Sequence, residues 1–247
     1  MRTLFSRIKL GALLCIAAMV ATACISDDEN NTVTYSSFFT ITGDKPNYKL
    51  IDDGGVIVYP TMESVNELTS NKGFVDNKRA QFYLTYDDEL DKITDDKGVI
   101  TIKNAKLVGG QYILTAKVLN TEEATNLNIL TNDSIFSIQA FNQFWLANGY
   151  LTTSIRGQYS SKNGTAIRPT INLFVPNENI KENEVAITVL YNRHSSKNEN
   201  AAGISDFVNS FDMSSLQIPG NDSVLVSLSV NGASTIKAKV ARKAFKL

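Results

Sequence analysis

Along most of the chain apolar and polar residues alternate at every second position, β-branched and aromatic side chains dominate the apolar set, and turn residues interrupt at intervals of about ten. Period two places successive side chains on opposite faces, so the pattern predicts strands. It does so at Phe38–Thr42, Val56–Tyr59, Gln81–Tyr86, Val99–Leu107, Gln111–Leu119 and Ile135–Phe141. It does so again at Tyr150–Arg156, Thr170–Val175, Val185–Asn192, Val208–Asp212, Val224–Val230 and Thr235–Ala241. Helical period is almost absent; Met62–Ser70 is the best candidate, as a short helix or a loop. Asp52-Asp53-Gly54-Gly55, Asp96-Lys97-Gly98 and Gly109-Gly110 read as turns, since glycine takes positive φ without steric cost. The expected class is all-β, a sandwich or barrel. A polar stretch at Asn120–Thr131 marks a boundary between a domain over residues 35–120 and one over 121–247.

The first residues break this pattern. Arg2, Arg7 and Lys9 precede an uncharged apolar run over residues 10–20, the layout of a secretory signal ending at residue 23. A spanning helix needs roughly 20 apolar residues, and this run is about half that. Ala21-Thr22-Ala23 precedes Cys24, so the junction reads both as a small-residue cleavage box and as a lipobox with Ala21 where leucine is more usual. Cys15 falls in the removed segment, which leaves Cys24 as the one mature cysteine and excludes an internal disulfide. A lone thiol in an oxidising compartment is reactive unless its sulfur is used, and thioether linkage to a diacylglyceryl group uses it. Cys24 is therefore the expected lipidation site and a membrane the first expected partner. Ser26, Asp27, Asp28 and Glu29 resemble the acidic signal that sends lipoproteins of Bacteroidota to the cell surface; as a plain reading they form a solvated tether over residues 24–34. The expected location is the outer membrane, surface-exposed, with the periplasmic face as the alternative.

The chain has 24 basic and 25 acidic residues; loss of the signal leaves 21 against 25, a net charge of −4. That balance repels phosphate backbones and argues against nucleic acid as a partner. Catalytic patterns are missing: no H-E-x-x-H, no G-x-S-x-G, and one histidine, His194. One histidine cannot build a multi-histidine zinc site, and the pairs Asp52-Asp53, Asp87-Asp88 and Asp95-Asp96 lack calcium-loop spacing. They read as solvated turn residues, and no cofactor or metal is expected. His194 follows a strand end beside Arg193; it reads as a structural residue bonding across a loop rather than a general base, with both retained as candidate ligand contacts. Trp145 and Tyr150 belong to the densest aromatic cluster, either a platform for sugar rings or core. Asp133-Ser134-Ile135 and Asp222-Ser223-Val224 resemble the short acceptor of Bacteroidota O-glycosylation, making Ser134 and Ser223 candidate sites.

Taken in order, Tyr48–Val56, Arg79–Asp88, Asn132–Ile135, Phe144-Trp145 with Tyr150-Leu151, Ile171–Leu173, Arg193-His194 and Ser210–Leu216 resemble the NigD-like lipoproteins of the Bacteroidota cell envelope. The resemblance covers nearly all of the mature chain and departs at Thr152 and Ser195, where the family tends to have asparagine. It implies an N-terminal OB-like β-barrel followed by a C-terminal antiparallel β-sandwich, and it brings no catalytic residues. The expected function is a non-enzymatic lipid-anchored envelope protein presenting a binding surface to an extracellular protein or glycan. The alternative that the family name implies is bacteriocin immunity, by binding or neutralising a toxin at the envelope. A hydrolase is the least supported reading.

Overall fold

The computed structural model describes residues 31–74, 78–127, 138–194, 201–221, 223–230 and 235–246. The expectations for the signal peptide, Cys24, Ser26, Asp27, Asp28, Glu29 and Ser134 lie outside the described residues. Two compact units are present: the described residues up to 74 with 81–111, and the described residues within 78–80 and 112–246.

The first unit is built from β1 (Thr32–Thr42), β2 (Lys49–Asp52), β3 (Ile57–Pro60), α1 (Met62–Thr69), β4 (Arg79–Asp87), β5 (Lys92–Thr94) and β6 (Ile100–Tyr112), except that Arg79 and Ala80 of β4 and Tyr112 of β6 belong to the second unit. The strand order β3-β2-β1-β4-β6 returns on itself because β3 also pairs β6, in parallel. With a helix between its third and fourth barrel strands, this is the OB arrangement that the resemblance implied. Alternation fills the barrel: Phe39, Leu50, Val58, Phe82, Leu84 and Ile102 are buried. Phe74 completes the core, its ring 5.4 Å from Phe82 and 4.7 Å from Tyr48. Helix α1 starts where Thr61 accepts the Ser64 N–H, stops where Ser70 turns left-handed, and buries Val65.

Three expectations change here. The tether was expected to reach residue 34, but β1 begins at Thr32, because the alternation of Val33 and Tyr35 with polar residues already faces one side inward. Gly109-Gly110 is no turn: β6 runs through it to Tyr112. A Cβ on Gly110 would stand 2.4 Å from Phe82 Cδ1 and 2.5 Å from the Gln81 carbonyl oxygen, so glycine serves close strand approach there. Asp52 is not solvated but buried; it accepts the Val56 N–H at 2.7 Å and the Tyr35 hydroxyl, closing the β2–β3 hairpin. Asp95 does behave as a turn residue, accepting the N–H groups of Lys97 and Val99.

The second unit holds β7 (Leu114–Leu119), α2 (Thr121–Asn126), β8 (Ile138–Ala147), β9 (Tyr150–Lys162), β10 (Thr165–Ile167) and β11 (Thr170–Phe174). It continues with β12 (Ile180–Lys181), β13 (Glu184–Asn192), β14 (Gly203–Asp212), β15 (Ser223–Val230) and β16 (Thr235–Ala241). One sheet of order β10-β9-β14-β7-β11-β13-β15-β16, with β8 on β9 and β12 on β13, folds over a single core. Leu151, Ile155, Phe207 and Phe211 from one half share that core with Leu173, Ile187, Val189, Val226 and Leu228 from the other. The second unit therefore begins at Tyr112, not residue 121: β7 pairs with β11 and β14. The sheet is also mixed rather than antiparallel throughout. Strand β7 runs parallel to both β11 and β14, and β13 runs parallel to β15.

Candidate functional site

The parallel strands create the site. Because β7, β11 and β14 point the same way, the three segments that leave their carboxyl ends emerge together. Between those segments lies a cleft of about 660 Å³, within the range of ligand sites. Lys117 and Val118 of β7, Val175 just beyond β11, and Asp212 of β14 form its strand-end wall. Asn120 and Glu123 at the start of α2, Asn177 and Ile180, and the loop Ser214–Gln217 with Pro219 complete it. A second hollow of about 420 Å³ shares Asn120 and Asn177 and continues along α2 past Glu122 and Thr125.

The walls are set by local bonds. Asn120 Oδ1 accepts the Glu123 N–H at 2.9 Å while Glu123 Oε2 accepts the Asn120 N–H at 3.0 Å, a reciprocal box that fixes the entry to α2. Asp212 Oδ1 accepts the Ser214 N–H at 2.8 Å, and the Leu216 N–H bonds the Met213 carbonyl at 3.0 Å, so the loop after β14 turns sharply. Beyond it, the Arg242 guanidinium donates to the carbonyls of Ile218 (2.5 Å), Pro219 (3.1 Å) and Asn221 (3.2 Å) and to Asn183 Oδ1 (3.2 Å). Gly220, at φ +107°, sits so close to Asn183 that a Cβ would meet its Oδ1. The cleft is thus preformed, with carboxylates whose hydrogen-bonded oxygens hold backbone in place.

Asp212 connects the cleft to a buried polar group beneath it. In register it stands beside Lys117 on β7 and Tyr150 on β9. Burial, and then the Asp212 charge, push the Tyr150 phenol above its ordinary pKa; the Arg79 guanidinium, 5.7 Å from the ring centre, partly offsets this. Arg79 is itself fully buried, donating to Thr152 Oγ1 at 3.1 Å, and Thr152 shares a 2.7 Å hydroxyl contact with Ser210. Thr152 is one of the two departures from the family pattern, and it acts as a structural hydrogen-bonding residue.

The candidate residues read from sequence do not converge. Trp145 is half-buried on β8 and Tyr150 is buried at the start of β9, so they present no open aromatic platform. Arg193 is buried at the far end of the sheet, donating to Gln158 Oε1 at 2.9 Å. Gln158 lies eight residues along β9 from Tyr150, roughly 26 Å at the rise of a strand. His194 is exposed with φ +60°, its Nε2 2.8 Å from Thr170 Oγ1, a loop-bridging geometry. Ser223, half-buried, opens β15 opposite Ala241. The cleft residues were missed as a site, although N-T-E-E at 120–123 carries the capping pattern and Ser214, Ser215 and Leu216 belong to a motif of the resemblance.

Fold and cleft together define an all-β protein of two units, an OB-type barrel followed by a mixed-sheet sandwich bearing a ligand-sized cleft. No family model matches the chain and no curated protein matches it. Solved structures do. A Parabacteroides distasonis protein described as a candidate toxin-related protein is 18% identical, with 85% of this chain and 95% of that one covered at a TM-score of 0.57. A candidate lipoprotein of Bacteroides fragilis is 11% identical, with 83% and 95% covered and a TM-score of 0.51. The neighbours also include a NigD-like immunity protein of Bacteroides caccae, 11% identical over 84% and 92% of the chains, TM-score 0.49. At these identities what the first two share with this chain is the fold.

Proposed function

We propose that this chain is a non-enzymatic protein of the cell envelope, anchored through a lipid on Cys24, whose second unit presents the cleft after β7, β11 and β14 to a partner outside the cell. The observation that carries this reading is the preformed cleft itself. Its lining offers amides, hydroxyls and apolar side chains, and Asp212 and Glu123 each spend an oxygen on backbone N–H groups, which suits recognition. His194 lies outside the lining. The lipobox and acidic tether support display from the outer membrane, on its surface rather than its periplasmic face.

The test compares the full chain with Ser215→Trp, which fills the cleft from an exposed loop position and leaves the core untouched. Binding of labelled protein to a glycan array or to a panel of peptides, abolished by Ser215→Trp with thermal unfolding unchanged, supports the proposal. Binding that survives the tryptophan refutes the cleft as the site. Turnover of an ester or glycoside panel, lost in His194→Ala, overturns the non-enzymatic reading. If gene deletion sensitises cells to a toxin and Ser215→Trp fails to restore protection, the partner is a toxin and the function is immunity. Intact mass and membrane fractionation of Cys24→Ala test the anchor.

A further inference from the structure

We infer that the occupant of the cleft is an extended peptide segment carrying a basic side chain; this deepens the binding function proposed above and rests on it. Shape comes first. The two hollows share Asn120 and Asn177 in their walls, so hollows of about 660 Å³ and 420 Å³ adjoin at these residues and together offer a groove. A linear chain fills such a groove; a compact small molecule occupies only one end. The chemistry of the walls then separates the two linear polymers available. Among the described residues no aromatic ring lines either hollow, so these walls offer a sugar no face to stack on. Amides do line it: Asn120, Asn177 and Gln217. Asn120 has its oxygen committed to the Glu123 N–H and its amino group left to donate, and an intact side-chain amide offers both a donor and an acceptor, the pair that a peptide unit requires. Val118, Val175 and Leu216 supply apolar surface between these groups for a side chain of the segment.

Charge fixes the sign. Among the described lining residues of the two hollows the charged ones are Asp212, Glu123 and Glu122 against Lys117, and the Lys117 ammonium makes no ion pair among the described residues. The groove therefore favours a cation, with the whole chain's slight excess of acid acting in the same direction at long range.

The full chain, purified in detergent, is panned against a phage-displayed random heptapeptide library, and the enriched sequences are synthesised with a fluorescent label for anisotropy; a glycan array runs in parallel. The expected enriched peptides share a lysine or arginine at one position. Glu122→Gln/Glu123→Gln/Asp212→Asn keeps the capping and turn hydrogen bonds while removing charge, and should weaken binding about tenfold at low salt. Lys117→Met should strengthen the same binding severalfold. Enrichment of acidic peptides, or weakening by Lys117→Met, overturns the inference by sign. Glycan binding that Ser215→Trp abolishes, with no peptide bound, overturns the peptide assignment and leaves the envelope-binding function standing. Absence of both kinds of binding in a chain that unfolds cooperatively overturns both.

Discussion

Removing the Arg242 guanidinium tests whether the cleft is rigid before a partner arrives. Arg242 is the only side chain among the described residues that bonds three carbonyls of the loop Ile218–Asn221, and it reaches Asn183 as well. Two of these four bonds are part-buried and two exposed. A hydrogen bond from a charged donor contributes about 1 kcal/mol net when partly shielded and less when water can replace it, so Arg242→Ala should cost about 2–3 kcal/mol. For a chain of this length that corresponds to a fall in melting temperature of about 5–10 °C. The loss should be local as well as global. The Asn183 N–H bonds the Pro219 carbonyl at 2.9 Å and the Leu225 N–H bonds the Asn183 carbonyl at 2.8 Å, so both amides report opening of this loop. Their exchange with deuterium should accelerate by about fiftyfold while amides of the barrel strands exchange as before. Arg242→Lys, a single ammonium in place of a planar fork, should fall between the two. If the two reporter amides exchange at the wild-type rate in Arg242→Ala, the clamp does not hold the rim and the cleft is not preformed by Arg242.

Gly110→Ala should destabilise by roughly 3 kcal/mol in urea denaturation, because the new methyl meets a backbone carbonyl that the strand pairing holds fixed; Gly98→Ala, open on all sides but at φ +79°, should cost only about 1 kcal/mol. Asp52→Ala leaves the Tyr35 hydroxyl and the Val56 N–H without their carboxylate partner and should cost about 2–3 kcal/mol by the same measurement, with Asp52→Asn recovering part of it. Alkaline titration at 295 nm should find four tyrosines that resist ionisation near their ordinary value: burial raises Tyr35, Tyr150 and Tyr191, and burial with the Asp88 charge pushes Tyr86 up to about 12. The folded state holds these protons when the unfolded chain has released its own, so this contribution to stability is complete below about pH 10 and is lost as pH rises toward 12. Ionisation of all tyrosines together near pH 10 without unfolding would contradict the burial described.

The strands were legible because period two survives in single sequences wherever one face is buried: Phe82 and Leu84 alternate with Tyr83 and Thr85, and Val185, Ile187 and Val189 with Ala186 and Thr188. The Asp52–Gly55 hairpin was legible from turn chemistry, although the depth of Asp52 was not, since burial of that carboxylate depends on Tyr35, seventeen residues away. Gly109-Gly110 misled because two glycines supply turn geometry and close packing equally well; the deciding contact, the Gln81 carbonyl, is non-local. The boundary was placed too late for a related reason. Nothing in the alternation of β7 says that its partners are β11 and β14, so a strand of the second unit reads like a continuation of the first. Individual candidates such as Arg193 and His194 were placed correctly at a strand end, but sequence proximity to Tyr150 along the motif series says little about space when β9 is thirteen residues long.

The cleft was illegible for the reason that it exists. In an antiparallel meander successive loops leave alternate ends of the sheet, and no three strand-terminal loops need share an end. Here β7 enters between β11 and β14 and runs parallel to both, which sends the segments at Asn120, Pro176 and Met213 out on one side. The amino ends of β13 and β15 return to that side because β13 is antiparallel to β11 and parallel to β15, bringing Ile180 and Pro219 to the same rim. Strand direction leaves no trace in hydrophobic period, whereas it decides which loops meet. Asn120, Asn177 and Ser215, each an ordinary loop residue on its own, become one surface through topology, as ligands in open parallel sheets gather at carboxyl ends. The place to mutate for function is therefore the set of loops after the parallel strands, and substitutions at the Arg193 end of the sheet should alter stability while leaving partner binding intact.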